Sequence, residues 1–269
     1  MRLFENHPDL SITGYTFLEA FYYGPEALSR RNVGQRGITP DATYQSRFNK
    51  LQKFIADAEA AGKIPFIKEH VYFITDPQTI AANDVICLPN GSPRSIINAK
   101  PTIEGSAIAP AKSLSLPANP TVLPNEFLTT FLPVILIRHP AKIIPSYYRV
   151  VSRDPFGTTV FDEDFPVEVS LRWSRLIFDW YEEYYCISEI EQRPIVIDAE
   201  DMINDSHYVA EKFCAMTGLD PRHVQYSWAE VTEASNPIYE RFLSTLRNST
   251  GIIREDQVSI SSVTLRYGL

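Results

Sequence analysis

An uninterrupted apolar run at residues 133–137 constrains the fold more than any other feature of this 269-residue chain. After Pro133 the run contains no polar side chain, which is typical of a parallel strand covered on both faces. A second short run at residues 194–198 has the same character, and helical patterns flank both. Strands that alternate with helices predict the α/β class, with a three-layer, mostly parallel sheet flanked by helices.

Apolar spacing predicts the neighbouring elements. Apolar residues three and four positions apart predict a helix over residues 39–62, with Thr39 as its N-cap. A dense apolar run predicts one strand over residues 63–75. The pattern also predicts a long helix, buried on most sides, over residues 169–190 and a further helix around residues 209–216.

Residues 76–124 differ from the rest of the chain. They carry repeated Pro with Ser, Asn, Ala and Gly between, and they show no sustained period. A structureless segment of this length is usually a lid, a binding loop or disordered, and the pattern leaves a lid and a disordered insertion equally open. Because no internal repeat is visible, we expect residues 1–269 to form a single domain with this Pro-rich loop or lid.

The charge balance argues against two classes of partner. The formal net charge of -8 disfavours nucleic acid and anionic membranes, which are bound through surplus Lys and Arg. The start of the chain has no apolar signal segment, and the apolar run at residues 127–137 is too short to span a bilayer. We therefore expect a cytoplasmic protein.

A basic turn follows the first apolar run. The predicted strand ends in Arg138, and the predicted helix after it carries Ser146 and Arg149. Ligands of open α/β sheets bind beyond the carboxyl ends of the strands, where a helix N-terminus offers free N–H groups to a phosphate. The guanidinium of Arg138 suits a two-pronged contact with phosphate oxygens, and Ser146 offers a hydroxyl. The spacing leaves a second interpretation open, in which both arginines are solvated and Ser146 only packs.

The segment from Arg138 to Arg149 resembles the 3′-phosphate-binding segment of the sulfotransferases that use 3′-phosphoadenosine 5′-phosphosulfate (PAPS). That family carries Arg, then Asn or His, with a Ser eight residues after the Arg, so Arg138 and Ser146 match its two phosphate-contacting positions. Residues 19–26 and 200–202 are similar to other stretches of its fungal and bacterial branch. The resemblance implies a P-loop NTPase-like fold, PAPS as the sulfuryl donor, a small-molecule acceptor, no metal and a role in secondary metabolism.

The resemblance also implies roles for Lys68 and His70. Cytosolic sulfotransferases place Lys-Thr-His on the equivalent strand, where the Lys contacts the bridging region of the donor and the His takes the acceptor's proton. Here Glu69 stands in place of the Thr. Residues two apart on a strand share a face, so both side chains are expected in one cleft. A purely structural histidine remains the alternative for His70, and Glu19 is the alternative base.

One part of the family pattern has no counterpart in this sequence. The family opens with a strand and a loop, typically Pro-Arg-Ser or Pro-Lys-Ser-Gly-Thr, that binds the 5′-phosphosulfate, and we expect this chain to begin inside the helix that follows. Thr250 and Gly251 are the candidate substitutes for the family's C-terminal phosphate-binding segment. Two functions stay open: sulfuryl transfer from PAPS to a hydroxyl or amine, or a catalytically impaired, nucleotide-binding relic with a non-enzymatic role.

Overall fold

The described strands form two short pairs, and the candidate site residues lie in or just after these strands. The computed structural model describes residues 2–27, 37–83, 116–153, 156–162, 164–230, 242 and 247–253. Strand β1 (Leu10–Gly14) pairs in parallel with β2 (Ile64–Lys68), so that Gly14 lies opposite Lys68. Strand β3 (Val134–Ile137) pairs with β4 (Ile195–Asp198), and Ile195 donates its backbone N–H to Pro133 at 2.9 Å.

Helices follow each of these strands. Those of the described part of the chain are α1 (Leu18–Tyr23), α2 (Tyr44–Ala60), α3 (Val71–Ile74), α4 (Pro77–Asn83), α5 (Asn125–Leu128), α6 (Pro140–Val151), α7 (Phe165–Val169), α8 (Arg172–Ile187), α9 (Ala199–Asn204) and α10 (Ser206–Thr217). Short 3₁₀ turns occupy Arg2–Phe4 and Pro221–His223. None of the described helices is long and apolar enough to cross a membrane.

The described residues fall into two compact units. The larger unit spans residues 9–196, and the smaller one combines residues 1–8 with residues 197–269. In the smaller unit Phe4 packs edge-on against Phe213, with ring centroids 5.2 Å apart. Helix α10 of this unit ends at Gly218 in the left-handed conformation, which confirms the helix predicted around residues 209–216.

Residues 2–14 do not form the helix that the sequence predicted at the start of the chain. A 3₁₀ turn at Arg2–Phe4 leads into strand β1, and a turn through Tyr15 connects β1 to α1. The start of α2 also differs from the prediction, because Thr43 and not Thr39 caps it. The Thr43 hydroxyl accepts the N–H of Ser46 at 3.0 Å, and this local bond fixes the first turn four residues later than expected.

The predicted strand over residues 63–75 ends at Lys68. Residues 71–74 instead form the single helical turn α3, which begins with the N–H of Phe73 bonded to the carbonyl of His70 at 2.9 Å. Four consecutive apolar residues fit a strand or a buried helical turn equally well. Here the packing of Phe73 against Phe21, with ring centroids 5.2 Å apart, favours the helical turn.

The Pro-rich segment is ordered at both described ends. Residues 77–83 form α4, whose Ile80 is fully buried. At the other end Thr121 forms an antiparallel bridge with Thr75, and Val122 donates its N–H to Ile74 at 2.9 Å. The prediction of a structureless segment from residue 76 is therefore wrong at these ends. Its central part, residues 84–115, lies outside the described residues.

Among the described helices of the larger unit, α8 supplies the most buried side chains to the core. The Trp173 indole donates to the Val167 carbonyl at 2.7 Å, and the Tyr181 hydroxyl donates to the Leu128 carbonyl at 2.7 Å. The predicted helix over residues 169–190 is shorter, because the chain turns at Ser170 (ψ 130°) between α7 and α8. Its burial is also one-sided, since Arg175 and Asp179 lie on an exposed face.

Strand β3 is buried on one face only. Ile135 is 7% exposed, whereas Val134 and Leu136 are 39% and 63% exposed, so the prediction of cover on both faces is wrong for the described structure. The α/β class is confirmed by the mixture of short sheets and helices. The three-layer, mostly parallel arrangement stays a prediction, because the strands that the structure describes form two separate pairs.

Candidate active site

Lys68 lies at the carboxyl end of β2, beside the turn that leaves β1. Its ammonium donates a hydrogen bond to the hydroxyl of Tyr15, and its Nζ atom lies 4.5 Å from the centre of the Tyr15 ring. The parallel pairing explains the contact, because Gly14 lies opposite Lys68 and Tyr15 is the next residue. The sequence contained no signal for this contact, which joins positions 53 residues apart.

His70 is held between aromatic rings. It stacks on Tyr15 and on Tyr72, with ring centroids 5.0 Å and 5.2 Å apart, and Phe73 meets it edge-on. His70 is nevertheless exposed to solvent at the edge of this stack. Burial, and secondly the positive charge of Lys68, lowers the pKa of His70 to about 4. The imidazole is therefore neutral near pH 7, which is the form that accepts a proton.

The turn that presents Tyr15 is strained. Tyr15 has φ of +57°, in the left-handed region that costs a residue with a side chain about 1–2 kcal/mol. Its N–H donates to the Lys68 carbonyl at 2.8 Å, which ties the turn to the end of β2. Backbone strain of this kind is concentrated at functional sites, which directs attention to Tyr15.

The Glu69 side chain binds the backbone just after the same turn. One of its carboxylate oxygens accepts the N–H of Phe17 at 3.4 Å, while the other oxygen is buried without a hydrogen-bond partner. Burial raises the pKa of Glu69 to about 8, although the N–H groups of Phe17, Thr16 and His70 act in the opposite direction. The residue that replaces the family's Thr is thus a largely buried carboxyl group that binds the backbone after Tyr15.

Glu168 joins the candidate site to helix α6. The Tyr22 hydroxyl donates to one of its carboxylate oxygens at 2.6 Å, and the Tyr147 hydroxyl donates to the other. Burial and the Glu168 charge raise the pKa of both tyrosines, so both phenols stay protonated donors. Tyr22 also packs edge-on against Phe73, which in turn meets His70 edge-on.

Helix α6 begins directly after Arg138, as the sequence predicted. Arg138 is half-buried, and Ser146 is exposed on the second turn of the helix. The N-terminus of α6 is not fully open, because the Nδ1 atom of His139 accepts the N–H of Ala141 at 3.2 Å. Tyr147 follows Ser146 in the chain, so the contacts through Glu168 connect the predicted phosphate segment with the Lys68 and His70 end of β2.

Two curated proteins are similar to this chain over 220 residues. Both are named Sulfotransferase ppzF: the one from Metarhizium majus (strain ARSEF 297) is 33% identical, and the one from Metarhizium rileyi (strain RCEF 4871) is 31% identical. The chain is therefore similar to sulfotransferases over most of its length. The similarity covers 78% of this chain, and the chain spans 62% of the length of each relative. No family model matches the chain, and no solved structure matches it.

The sulfotransferase resemblance predicted that three further residues belong to the site, but the structure shows other contacts for them. Glu19, the alternative base, is half exposed and forms an ion pair with Arg47 at 2.5 Å. Thr250 and Gly251 lie in the smaller unit, where the Thr250 carbonyl accepts the N–H of Trp228 at 3.0 Å and Gly251 forms an antiparallel bridge with Ser227. Their role in phosphate binding stays a prediction.

The described ranges contain no group of three or more His, Cys, Asp or Glu placed to hold a metal ion. The polar groups at the candidate site are a cation, a neutral imidazole and phenols. Tyr15, Tyr22, Tyr147 and Glu168 were not found from the sequence, because each joins the site through a contact between distant segments.

Proposed function

We propose that this protein transfers a sulfuryl group from PAPS to a hydroxyl or amine of a small-molecule acceptor. One observation carries the proposal: in a chain similar to sulfotransferases, the cation of Lys68 and the neutral imidazole of His70 contact the same tyrosine side chain. The two groups differ in charge and protonation in the way that sulfuryl transfer requires. The proposed reaction uses no metal.

In the proposed step, a bond forms between the acceptor oxygen and the sulfur, and the bond between the sulfur and the 5′-phosphate oxygen breaks. The proton of the acceptor hydroxyl passes to the imidazole of His70. Negative charge develops on the departing phosphate oxygen, and the ammonium of Lys68 stabilises it there. Adenosine 3′,5′-bisphosphate is the second product.

Arg138 and Ser146 are proposed to bind the 3′-phosphate of the donor. A half-buried guanidinium at the end of a strand suits a charge-assisted contact, because it is partly shielded from water and salt. Ser146 adds a hydroxyl donor from the next turn of α6. Binding of the phosphate at the first N–H groups of α6 requires His139 to give up its contact with Ala141.

The first test measures the binding of adenosine 3′,5′-bisphosphate by calorimetry. Losing one charge-assisted contact costs about 1.5–3 kcal/mol, so Arg138→Ala should bind at least about tenfold more weakly. Arg153→Ala is the matched control, since Arg153 is an exposed arginine just beyond the end of α6. Equal affinity of Arg138→Ala and the unaltered protein would overturn the assignment of the phosphate site.

The second test measures the transfer of labelled sulfate from PAPS to a panel of phenols, alcohols and amines. Lys68→Ala should lower kcat at least about a hundredfold, the scale on which a single donor to a developing anion acts. Binding of the bisphosphate without transfer to any acceptor would instead favour the catalytically impaired, nucleotide-binding relic.

A further inference from the structure

Tyr15 contacts both residues that carry the proposed chemistry. Its hydroxyl accepts a hydrogen bond from the Lys68 ammonium, and its ring stacks on His70 at a centroid distance of 5.0 Å. These contacts use different parts of one side chain, so a substitution can remove the first and keep the second.

The backbone of Tyr15 is held in an unfavourable conformation to make these contacts. Its φ of +57° lies in the left-handed region, where glycine is the residue with the smallest penalty. The turn is tied down on both sides, by the bond from Tyr15 N–H to the Lys68 carbonyl and by the bond from Phe17 N–H to Glu69. A strained tyrosine fastened at this position indicates that the side chain is needed there.

A lysine alone is a poor electrostatic catalyst unless something fixes its position. Its four-carbon chain is flexible. Its ammonium stabilises the negative charge of the transition state best when it is oriented before that charge develops. The Tyr15 hydroxyl supplies a fixed acceptor for that ammonium.

We propose that Tyr15 is a positioning residue for sulfuryl transfer, which holds the Lys68 ammonium at the donor and the His70 imidazole at the acceptor oxygen. The proposal rests on the proposed function. Tyr15 itself forms no bond with the transferred group, so its effect passes through Lys68 and His70.

Tyr15→Phe isolates the hydroxyl, because phenylalanine keeps the ring that stacks on His70. We expect kcat to fall about tenfold while the KM for PAPS changes less than twofold, since the hydroxyl orients Lys68 for the transition state. In a Lys68→Ala background, Tyr15→Phe should make no further difference. Tyr208→Phe is the matched control, because Tyr208 is an exposed tyrosine with the Lys212 ammonium 5.7 Å from its ring.

A second measurement is independent of activity. The rate at which an amine-acylating reagent modifies Lys68 is followed by mass spectrometry, with the exposed Lys63 as the internal reference. Tyr15→Phe should raise the rate at Lys68 several-fold and leave the rate at Lys63 unchanged. Tyr15→Gly, which relieves the left-handed strain, should raise the rate at Lys68 at least as much.

The outcomes separate this proposal from the proposed function. If the unaltered protein transfers no sulfate but the acylation rates change as expected, the proposed function fails and the hold of Tyr15 on Lys68 stands. An unchanged acylation rate at Lys68 in Tyr15→Phe overturns the positioning role, even in an active protein. A loss of kcat that persists in the Lys68→Ala background overturns it as well.

Discussion

At the scale of single residues, Lys68 and His70 meet by a route that the sequence could not reveal. Their spacing predicted two side chains on one face of a strand, but β2 ends at Lys68 and His70 begins a helical turn. A shared partner, Tyr15, brings them together instead. The partner depends on parallel strand pairing and on one left-handed residue, and neither leaves a local sequence pattern.

The pH dependence of catalysis tests the role of His70. Burial and the Lys68 charge lower its pKa to about 4, so the imidazole is neutral throughout the range from about pH 5 to 8. We expect the acid limb of kcat/KM to lie near pH 4, well below the value of about 6.5 for an ordinary histidine. His70→Gln should lower kcat by about 10²-fold or more, whereas His207→Gln in the smaller unit should not.

A different acid limb would argue against this assignment. If kcat/KM falls with an apparent pKa near 6.5 and the limb disappears in His70→Gln, the imidazole is more hydrated in the working enzyme than the aromatic stack implies. If His70→Gln keeps full activity, another group accepts the proton.

At the scale of elements, the sequence predicted best where local signals agree. The strand before Arg138 and the helix after it were predicted because an uninterrupted apolar run ends in a basic turn. Burial was predicted less well, because the apolar run of β3 does not reveal that Leu136 stays 63% exposed. What covers a strand is decided by distant segments and not by the strand itself.

The contact between α6 and α7 gives a prediction at this scale. The phenol of Tyr147 donates to the Glu168 carboxylate, and a hydrogen bond to a charged group contributes about 1.5–3 kcal/mol. Tyr147→Phe should therefore lower the free energy of unfolding by about that amount in urea denaturation. It should also weaken the binding of adenosine 3′,5′-bisphosphate, because the same helix carries Ser146.

Tyr148→Phe is the control for this prediction, since Tyr148 is the next residue on α6 and is 39% exposed. Its substitution should change the stability by less than about 0.5 kcal/mol. A Glu168→Gln, Tyr147→Phe double variant should lose less than the sum of the single losses. Additive losses would show that Tyr147 stabilises α6 by packing and not through Glu168.

At the scale of the whole molecule, the family was predictable and the arrangement of the sheet was not. A few spaced residues, above all Arg138 and Ser146, resemble the sulfotransferases, and the similarity to two relatives over 220 residues supports that resemblance. Family motifs persist because they bind ligands, so they are visible in sequence. Sheet order depends on which distant strands pair, and the described strands pair in only two short ladders.

The contributions of Glu69 and His70 to the free energy of unfolding change with pH in opposite directions. The pKa of Glu69 is raised from 4.5 to about 8, so its contribution is fully present below pH 4.5 and is lost as the pH rises towards 8. The pKa of His70 is lowered from 6.5 to about 4, so its contribution is fully present above pH 6.5 and is lost as the pH falls towards 4. Between pH 4.5 and 6.5 the loss of the Glu69 contribution and the gain of the His70 contribution therefore offset each other as the pH rises.

Of these two contributions, only that of Glu69 still changes above pH 6.5. The protein should therefore lose stability between pH 6.5 and 8. The loss attributable to this residue is at most about 2 kcal/mol, since each pKa unit corresponds to about 1.4 kcal/mol. Urea denaturation at the two pH values checks it: Glu69→Gln, which cannot ionise, should lack the loss, whereas Glu183→Gln on the exposed face of α8 should retain it. Parallel behaviour of the Glu69→Gln and unaltered proteins would mean that Glu69 is hydrated and ionised in the folded state. The turn carrying Tyr15 would then rest on a carboxylate throughout this pH range, and its hold on Lys68 would not vary with pH.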